Sequence, residues 1–365
     1  LKKRYFAKIM ELKQILVIQN KRIGDVLISS VIANNIKKVF PKSHVTYFVY
    51  DYTVGVLENN PNIDRVISVQ EKVLKKPLEL FKMMRYIRAQ KYAIIFDPYS
   101  KLQSRLICLY SKAPYRIGQK RAHKKLKLPF YTHPISYLEQ RSKNCGKAIE
   151  DKINMITSVF DLSDPDYEPK IFLTEKEKQY APTPTLKKPV IMLGVLGSTP
   201  QKSMPYPYIV ALIDFITTTY KATILFNYAP HQKQQALKIY EMCANKQYIN
   251  MDIYEDSIRG FICLMNTCDI LVANEGGSVH ITKALNVPTF TIYSPYINKE
   301  SWCSFEDGEA HDSIHLLEEQ PDLFKTFTQE ETRKIEKNPD ALYHKLTPEM
   351  ILKKLNPFLQ KHLSQ

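Results

Sequence analysis

Short apolar runs alternate with amphipathic stretches along most of this chain. In the first half, residues 14–19, 45–50, 65–69, 92–96 and 115–118 are nearly continuous apolar runs. Such runs predict strands buried on both faces. Between them, residues 26–40, 53–59, 78–88, 100–110 and 147–160 carry apolar positions at helical spacing. Strand and helix in strict alternation predict an α/β fold with a doubly wound parallel sheet. The alternation restarts later, with strands at 190–195, 222–226, 248–251, 269–273 and 289–293. Helices are expected at 205–220, 231–245, 257–267 and 279–285. A terminal helix is expected at 346–360, with Thr347 as its N-cap.

Two stretches break the rhythm. Residues 120–145 are basic, contain Pro129 and Pro134, and read as a long functional loop. Residues 305–345 carry few strand or helix signals and read as an insertion across the second domain. The clearest boundary is Ala181-Pro182-Thr183-Pro184-Thr185 with Lys187-Lys188-Pro189, a Pro-rich charged linker. The expected organisation is therefore a first Rossmann-like domain over 1–180 and a second over 181–345. The helix of 346–365 is expected to pack back on the first. Two doubly wound halves in tandem predict a ligand cleft at the carboxyl ends of their strands.

Composition narrows the classes. A chain of 365 residues, 44% hydrophobic, can build two cores. It has no run of about 18 apolar residues that would span a membrane. Residues 1–14 are basic and amphipathic, so no signal peptide is expected, and Leu1 is not a natural start. The six cysteines form no C-x-x-C pair, which predicts buried, reduced thiols in a cytoplasmic protein. The formal net charge of +15 favours an anionic partner. Lysine and arginine concentrate at 72–91 and at 120–127. No nucleic-acid-binding module accompanies them, so a nucleic-acid role is not expected. No His/Cys/Asp cluster has metal-ligand spacing, so no metal is expected.

Candidate chemistry sits at three turns. Asp25 follows Gly24 where the first strand gives way to a helix. A carboxylate there can act as a general base, or can simply stabilise the helix start. Gly197-Ser198-Thr199-Pro200-Gln201-Lys202 follows the first strand of the second half. Its hydroxyls and lysine suit phosphate oxygens, although it lacks the Walker pattern. Asn274-Glu275-Gly276-Gly277-Ser278-Val279-His280 joins a strand to a helix. Its glycines permit positive φ or the close approach of another group. The helix N-terminus beyond them suits a diphosphate. An ordinary βα turn would also explain the glycines, and a packed side chain would explain His280.

Taken in order, these motifs resemble the bacterial ADP-heptose:lipopolysaccharide heptosyltransferases, glycosyltransferase family nine. Ile15 to Ile18 with Ile23-Gly24-Asp25 is similar to that family's opening strand and Leu-Gly-Asp turn. Asn60-Pro61-Asn62-Ile63-Asp64 and Arg116-Ile117-Gly118 also match. Ser198 with Lys202 and Pro205 looks like its phosphate loop, and 274–280 resembles its Asn-Asp-Ser-Gly-Pro-Met-His signature. The resemblance implies a GT-B fold, two Rossmann-like domains facing each other across a cleft. It implies an inverting, metal-independent glycosyltransferase with a nucleotide sugar, most plainly ADP-heptose, as co-substrate and no cofactor. Asp25 would be the base and Lys202 the catalytic cation. Ser198, Thr199, Glu275, Gly276, Gly277, Ser278 and His280 would bind the donor. Lys21, Arg22, Lys120, Arg121 and Lys124 are acceptor-side candidates for an anionic glycolipid of lipopolysaccharide-core type. That acceptor implies peripheral contact with the cytoplasmic face of the inner membrane.

The chain also departs from the family pattern. Glu275 replaces Asp, Gly276 and Ser278 replace Ser and Pro, Gln19 replaces Arg, and 227–231 lacks a ribose-side carboxylate. These departures leave two alternatives: a GT-B transferase for another nucleotide sugar, or an inactive nucleotide-sugar-binding homologue.

Overall fold

A computed structural model of the chain describes residues 13–120, 128–328, 330–331 and 340–363. The first unit is built on six parallel strands: β1 (Gln14–Ile18), β2 (His44–Tyr50), β3 (Arg65–Val69), β4 (Ile94–Asp97), β5 (Tyr115–Gln119) and β6 (His133–Ile135). Their order is β3-β2-β1-β4-β5-β6. The second unit has β7 (Val190–Gly194), β8 (Thr223–Asn227), β9 (Ile249–Asn250), β10 (Ile270–Asn274), β11 (Thr289–Ile292) and β12 (His311–Ile314). Its order is β12-β11-β10-β7-β8-β9, again all parallel.

The apolar runs form the sheet centres because both faces are covered. Ile15 to Ile18 of β1 are fully buried, as are Ile94 to Phe96 of β4. In register, Val17 lies between Tyr47 and Phe96. The strand order reverses at β1/β4 in the first unit and at β7/β10 in the second. At such points successive crossovers leave in opposite directions, and a crevice opens at the carboxyl ends of the strands.

Several expectations need correction. The helix expected at 26–40 is two helices, Ile23–Ser29 and Val31–Val39. Ser30 N–H donates to Leu27 O at 3.0 Å and Ser29 Oγ to Val26 O at 2.7 Å. These short-range bonds tighten the chain locally and break the helix. The long loop expected at 120–145 contains β6, an edge strand where Pro134 needs no ladder donor. Residues 305–345 are not an insertion throughout, because β12 pairs with β11 and completes the second sheet. The strand's sequence, His-Asp-Ser-Ile, is too polar for an apolar-run signal, yet His311, Ser313 and Ile314 are buried.

The chain divides between Phe172 and Leu173, ahead of the Pro-rich stretch expected to mark the boundary. The segment after the break is tied to the second unit. Arg259 makes two bonds to Glu177, at 2.6 and 2.7 Å, and Tyr180 OH donates to Glu255 at 2.7 Å. The terminal helix, Pro348–Leu363, also belongs to the second unit's core rather than to the first unit. Ile351, Leu355, Phe358 and Leu359 are its buried face, and Phe290 of β11 packs on Phe358 at 5.7 Å. All six cysteines are buried and none forms a disulfide. Among the described residues no helix is long and apolar enough to cross a membrane.

Because Leu355 is fully buried, Leu355→Ala leaves a cavity in the second unit. The expected cost is about 2–5 kcal/mol, read by chemical denaturation of wild type and variant. A cost below about 0.5 kcal/mol would show the helix to be peripheral.

Candidate functional site

The chemistry-bearing residues gather at the two strand-order reversals. In the first unit β1 runs into Gln19 and Asn20, both buried, and then turns. Lys21 N–H closes the turn on Gln19 O at 2.9 Å. Arg22 is the N-cap of the Ile23–Ser29 helix, and its side chain makes no cap bond. Asp25 is the third helical residue, so the partial positive charge of the helix start favours its carboxylate. Lys21 Nζ donates to Asp25 Oδ1 at 2.6 Å. Both side chains remain partly open, Lys21 at 41% and Asp25 at 15%. This fixes one carboxylate oxygen. Gln19, standing where the family pattern has Arg, donates from Nε2 to Asp25 O at 3.3 Å and braces the turn.

Two polar residues of the first unit, Lys152 and Asp97, were not singled out as site residues from the sequence. Lys152, on the Lys147–Thr157 helix, lies in the field of Asp25 and Asp151. Burial pushes its ammonium below the usual lysine range, the two aspartates pull it back up, and Lys21 and Lys147 oppose them. Asp97, fully buried, ends β4 on the other side of the reversal. It accepts from Tyr131 OH at 2.7 Å and from Ser100 N–H at 2.8 Å. Burial pushes its carboxyl up to about 6 despite these bonds. No sequence signal separates such residues from ordinary strand-end or helix polar positions.

In the second unit the loop after β7 folds back tightly. Gly197 N–H donates to Ser203 Oγ at 2.9 Å, and Ser203 Oγ donates to Thr199 O at 3.0 Å. A Cβ at Gly197 would collide with the backbone of Lys202, so only glycine fits. Gln232 Nε2 donates to Gly197 O at 2.8 Å from the next βα connection. The short Pro200–Lys202 turn then projects Lys202 toward β10. Its Nζ lies 2.9 Å from Glu275 Oε1. Glu275 is buried, and its Oε2 accepts from Ser294 N–H at 2.9 Å. The longer Glu side chain therefore turns back onto protein partners rather than reaching further out.

The turn after β10 is shorter than the sequence implied. Asn274 is still in the strand and the helix starts at Gly277, running to Ala284. Gly276 is extended, with φ 164° and ψ −167°, so of the two roles open to it, a left-handed backbone or the close approach of another group, the first is not used. A Cβ on it would meet nothing within 4 Å. The glycine keeps open the space over the helix start, where Gly277 and Ser278 present N–H groups. Asn274 is buried, and neither side-chain atom has a hydrogen-bond partner among the described residues. An orphaned amide beside an open helix N-terminus marks a place for a polar ligand.

His280 does not add a charge to this edge. It is buried, with Trp302 at 6.1 Å and Ser304 Oγ at 3.5 Å from Nδ1. Burial, with Lys283 nearby, pushes its ring down to about 3, so it is neutral at physiological pH. A packed histidine is the better description.

Ser198 and Thr199 line a cavity of about 400 Å³ together with Met204, Tyr206, Gln232 and Tyr343. That volume is in the usual range for small-molecule sites. Among the acceptor-side candidates, Lys120 is exposed just after β5, whereas Arg121 and Lys124 lie outside the described residues. No cluster of three His, Cys, Asp or Glu residues that could hold a metal occurs among the described residues.

Two doubly wound units in tandem give the two-domain α/β architecture of the GT-B class. Comparison with known proteins gives the family. The model of glycosyltransferase family 9 (heptosyltransferase) matches residues 80–304. A lipopolysaccharide heptosyltransferase 1 of Campylobacter coli is 23% identical over 288 residues, 77% of this chain and 83% of that protein. The crystal structure of a family 9 glycosyl transferase from Veillonella parvula superposes with a TM-score of 0.74 at 18% identity, covering 96% of this chain and 98% of that one. The structure of E. coli heptosyltransferase WaaC with ADP superposes at 0.69 and 15% identity, covering 94% and 99%. The chain belongs to glycosyltransferase family 9.

The buried Asp97 generates a pH test. Its folded pKa, about 6, lies above its ordinary value of 3.8. The unfolded chain releases this proton first as pH rises, so the contribution of Asp97 to stability is present below about pH 4 and lost by about pH 6. The loss is of the order of 3 kcal/mol. Asp97→Asn should remove that slope, gaining on wild type between those pH values in chemical denaturation. Parallel pH profiles of variant and wild type would show that burial does not hold the proton.

Proposed function

We propose that this enzyme transfers a heptose from ADP-heptose, with inversion, to a hydroxyl of a phosphorylated lipopolysaccharide-core-type acceptor. The observation that carries this reading is the Lys202–Glu275 pair at 2.9 Å beside the open Gly277 helix start. A cation and unpaired N–H groups at one edge suit a diphosphate leaving group. The ADP in the structurally similar WaaC complex supports an adenine nucleotide. The Campylobacter coli relative, a lipopolysaccharide heptosyltransferase, supports the heptose and the lipopolysaccharide acceptor.

The proposed chemistry uses the chain's own groups. Asp25 takes the proton from the acceptor hydroxyl. That oxygen attacks the anomeric carbon from the face opposite the diphosphate. The carbon–oxygen bond to the β-phosphate breaks, and its electron pair leaves with ADP. Lys202 exchanges its contact with Glu275 for a phosphate oxygen, and the N–H groups of Gly277 and Ser278 share the charge. Glu275, released on one oxygen and held by Ser294 on the other, accepts from sugar hydroxyls. Ser198 and Thr199 donate to phosphate oxygens at the mouth of the cavity. Neither proton nor charge transfer in this scheme calls on a metal. The enzyme works in the cytoplasm, at the membrane that holds its acceptor.

A thermal-shift screen against ADP-heptose and UDP, GDP and CDP sugars tests the donor. ADP-heptose should stabilise the protein selectively, and Lys202→Ala should weaken that shift. Lys202→Ala should also lower kcat by about 10²–10³-fold. Selective stabilisation by another sugar nucleotide would move the assignment to a different donor on the same fold. Asp25→Asn should lower kcat by about 10²–10⁴-fold while leaving the donor-induced shift intact. Full transfer activity in that variant would remove Asp25 as the base.

A further inference from the structure

One surface of the first unit takes no part in the chemistry above. Helix Pro77–Ala89 packs its Leu80, Met83, Met84 and Ile87 face onto the sheet. The opposite face carries Leu78, Phe81, Lys82, Arg85 and Arg88, at spacings of three and four. Leu78 is 64% exposed and Phe81 44%. On the neighbouring helix, Leu102–Ser111, Leu102 is 59% exposed. Leu78 and Leu102 are the two most exposed large apolar side chains among the described residues. The helices are joined side by side. Phe81 meets Tyr110 edge to face at 5.8 Å, and Arg88 lies over Tyr110 at 5.1 Å.

The surround of these apolar tips is cationic. Residues 71–91 contain seven lysines and arginines and two glutamates. Both glutamates are already paired, Glu71 with Lys75 at 2.9 Å and Glu79 with Lys82 at 2.8 Å. Lys72, Lys76, Arg85 and Arg88 are exposed around them. Both helices follow strands of a parallel sheet, β3 and β4. They therefore begin at its carboxyl edge, the edge that carries the Asp25 turn.

We propose that the outward face of these two helices is a docking surface for an anionic lipid bilayer. Isolated apolar tips set among cations fit a headgroup layer better than they fit a protein partner. The tips enter the acyl boundary while the lysines and arginines meet lipid phosphates. A protein interface would call for a continuous apolar patch, depleted of charge at its centre. Docked this way, the unit presents its Asp25 edge along the membrane that carries a glycolipid acceptor. The proposal thus deepens the reading above and rests on it only for that last step.

The test is flotation of the full chain with vesicles of phosphatidylcholine alone, or with a minority of phosphatidylglycerol. The wild type should float with the anionic vesicles at low salt and detach as salt rises. A triple variant, Leu78→Ser with Phe81→Ser and Leu102→Ser, should bind at least about ten-fold more weakly. A Lys76→Glu, Arg85→Glu variant should lose binding as well. All five positions are exposed, and thermal unfolding should match wild type. Failure of the wild type to float would overturn the proposal and leave an acidic protein as the partner of this face. Wild-type affinity in the triple variant would also overturn it, reducing the binding to adhesion of a cationic chain. Activity supplies a second arm. With heptose-free lipopolysaccharide as acceptor, the triple variant should lose transfer in vesicles and keep it on the deacylated, water-soluble form. Equal loss on both forms would assign the face to the active site instead. Absence of transfer by the wild type would break the functional reading while leaving vesicle binding to be judged by itself.

Discussion

Burying a carboxylate as deeply as that of Glu275 costs free energy unless charge and hydrogen bonds meet it. Lys202 meets one oxygen and the Ser294 N–H the other, and much of the second unit is arranged so that both can. Lys202 arrives because the loop after β7 is folded tightly at Gly197 and pinned by Ser203 and Gln232. Ser294 arrives because β11 lies in register beside β10, with Asn274 opposite Ile292. The loop beyond Ser294 is fixed in turn by a buried network. Glu306 accepts from Tyr293 OH and Ser313 Oγ, both at 2.6 Å, and Lys283 Nζ donates to Ser304 O at 2.7 Å. On the proposed reading, a lysine held this way is preorganised for a diphosphate. The lysine is already at the helix start and has only to exchange one anion for another.

How much of this was legible in the sequence follows from what each residue's role depends on. The central strands were readable because burial on both faces demands continuous apolar runs, and 14–18 or 190–194 supply them. Edge strands face weaker demands. β6 tolerates Pro134, and β12 is polar, so neither looks like a strand until its neighbour is known. The boundary was misplaced for a similar reason. Proline content marks a stretch that is extended, but the Glu177–Arg259 contact decides which unit it joins, and that contact spans 82 positions.

At the site, Asp25, Lys202 and Glu275 were visible because a strand-to-helix turn dictates their order and spacing. Asp97 and Lys152 were not, and although Asn274 stands in the turn the sequence marks, its unmet hydrogen bonds were not visible either. Burial and an unmet hydrogen bond are not local properties. Gly276 shows the limit from the other side. The sequence leaves two roles open to this glycine, and only the backbone shows that it leaves space rather than adopting a left-handed conformation.

The charge of the chain can be divided on the same physical grounds. A formal +15 says only that anions are welcome. Position says which anions. Lys202 is one-third exposed and held against a carboxylate, so it suits a single phosphate group that can displace that partner. Lys21 remains more open while it orients Asp25, and it can face an acidic acceptor without giving up that contact. The lysines and arginines of 71–91 have no buried carboxylate to orient and stand beside exposed leucine and phenylalanine. A compact ligand gains little from charges spread along a helix face, whereas a sheet of phosphates meets many of them at once. The three groups of cations thus differ in how far each is buried and in what stands next to it. Under the proposals above, those two properties match the first group to a leaving group, the second to an acceptor and the third to a surface.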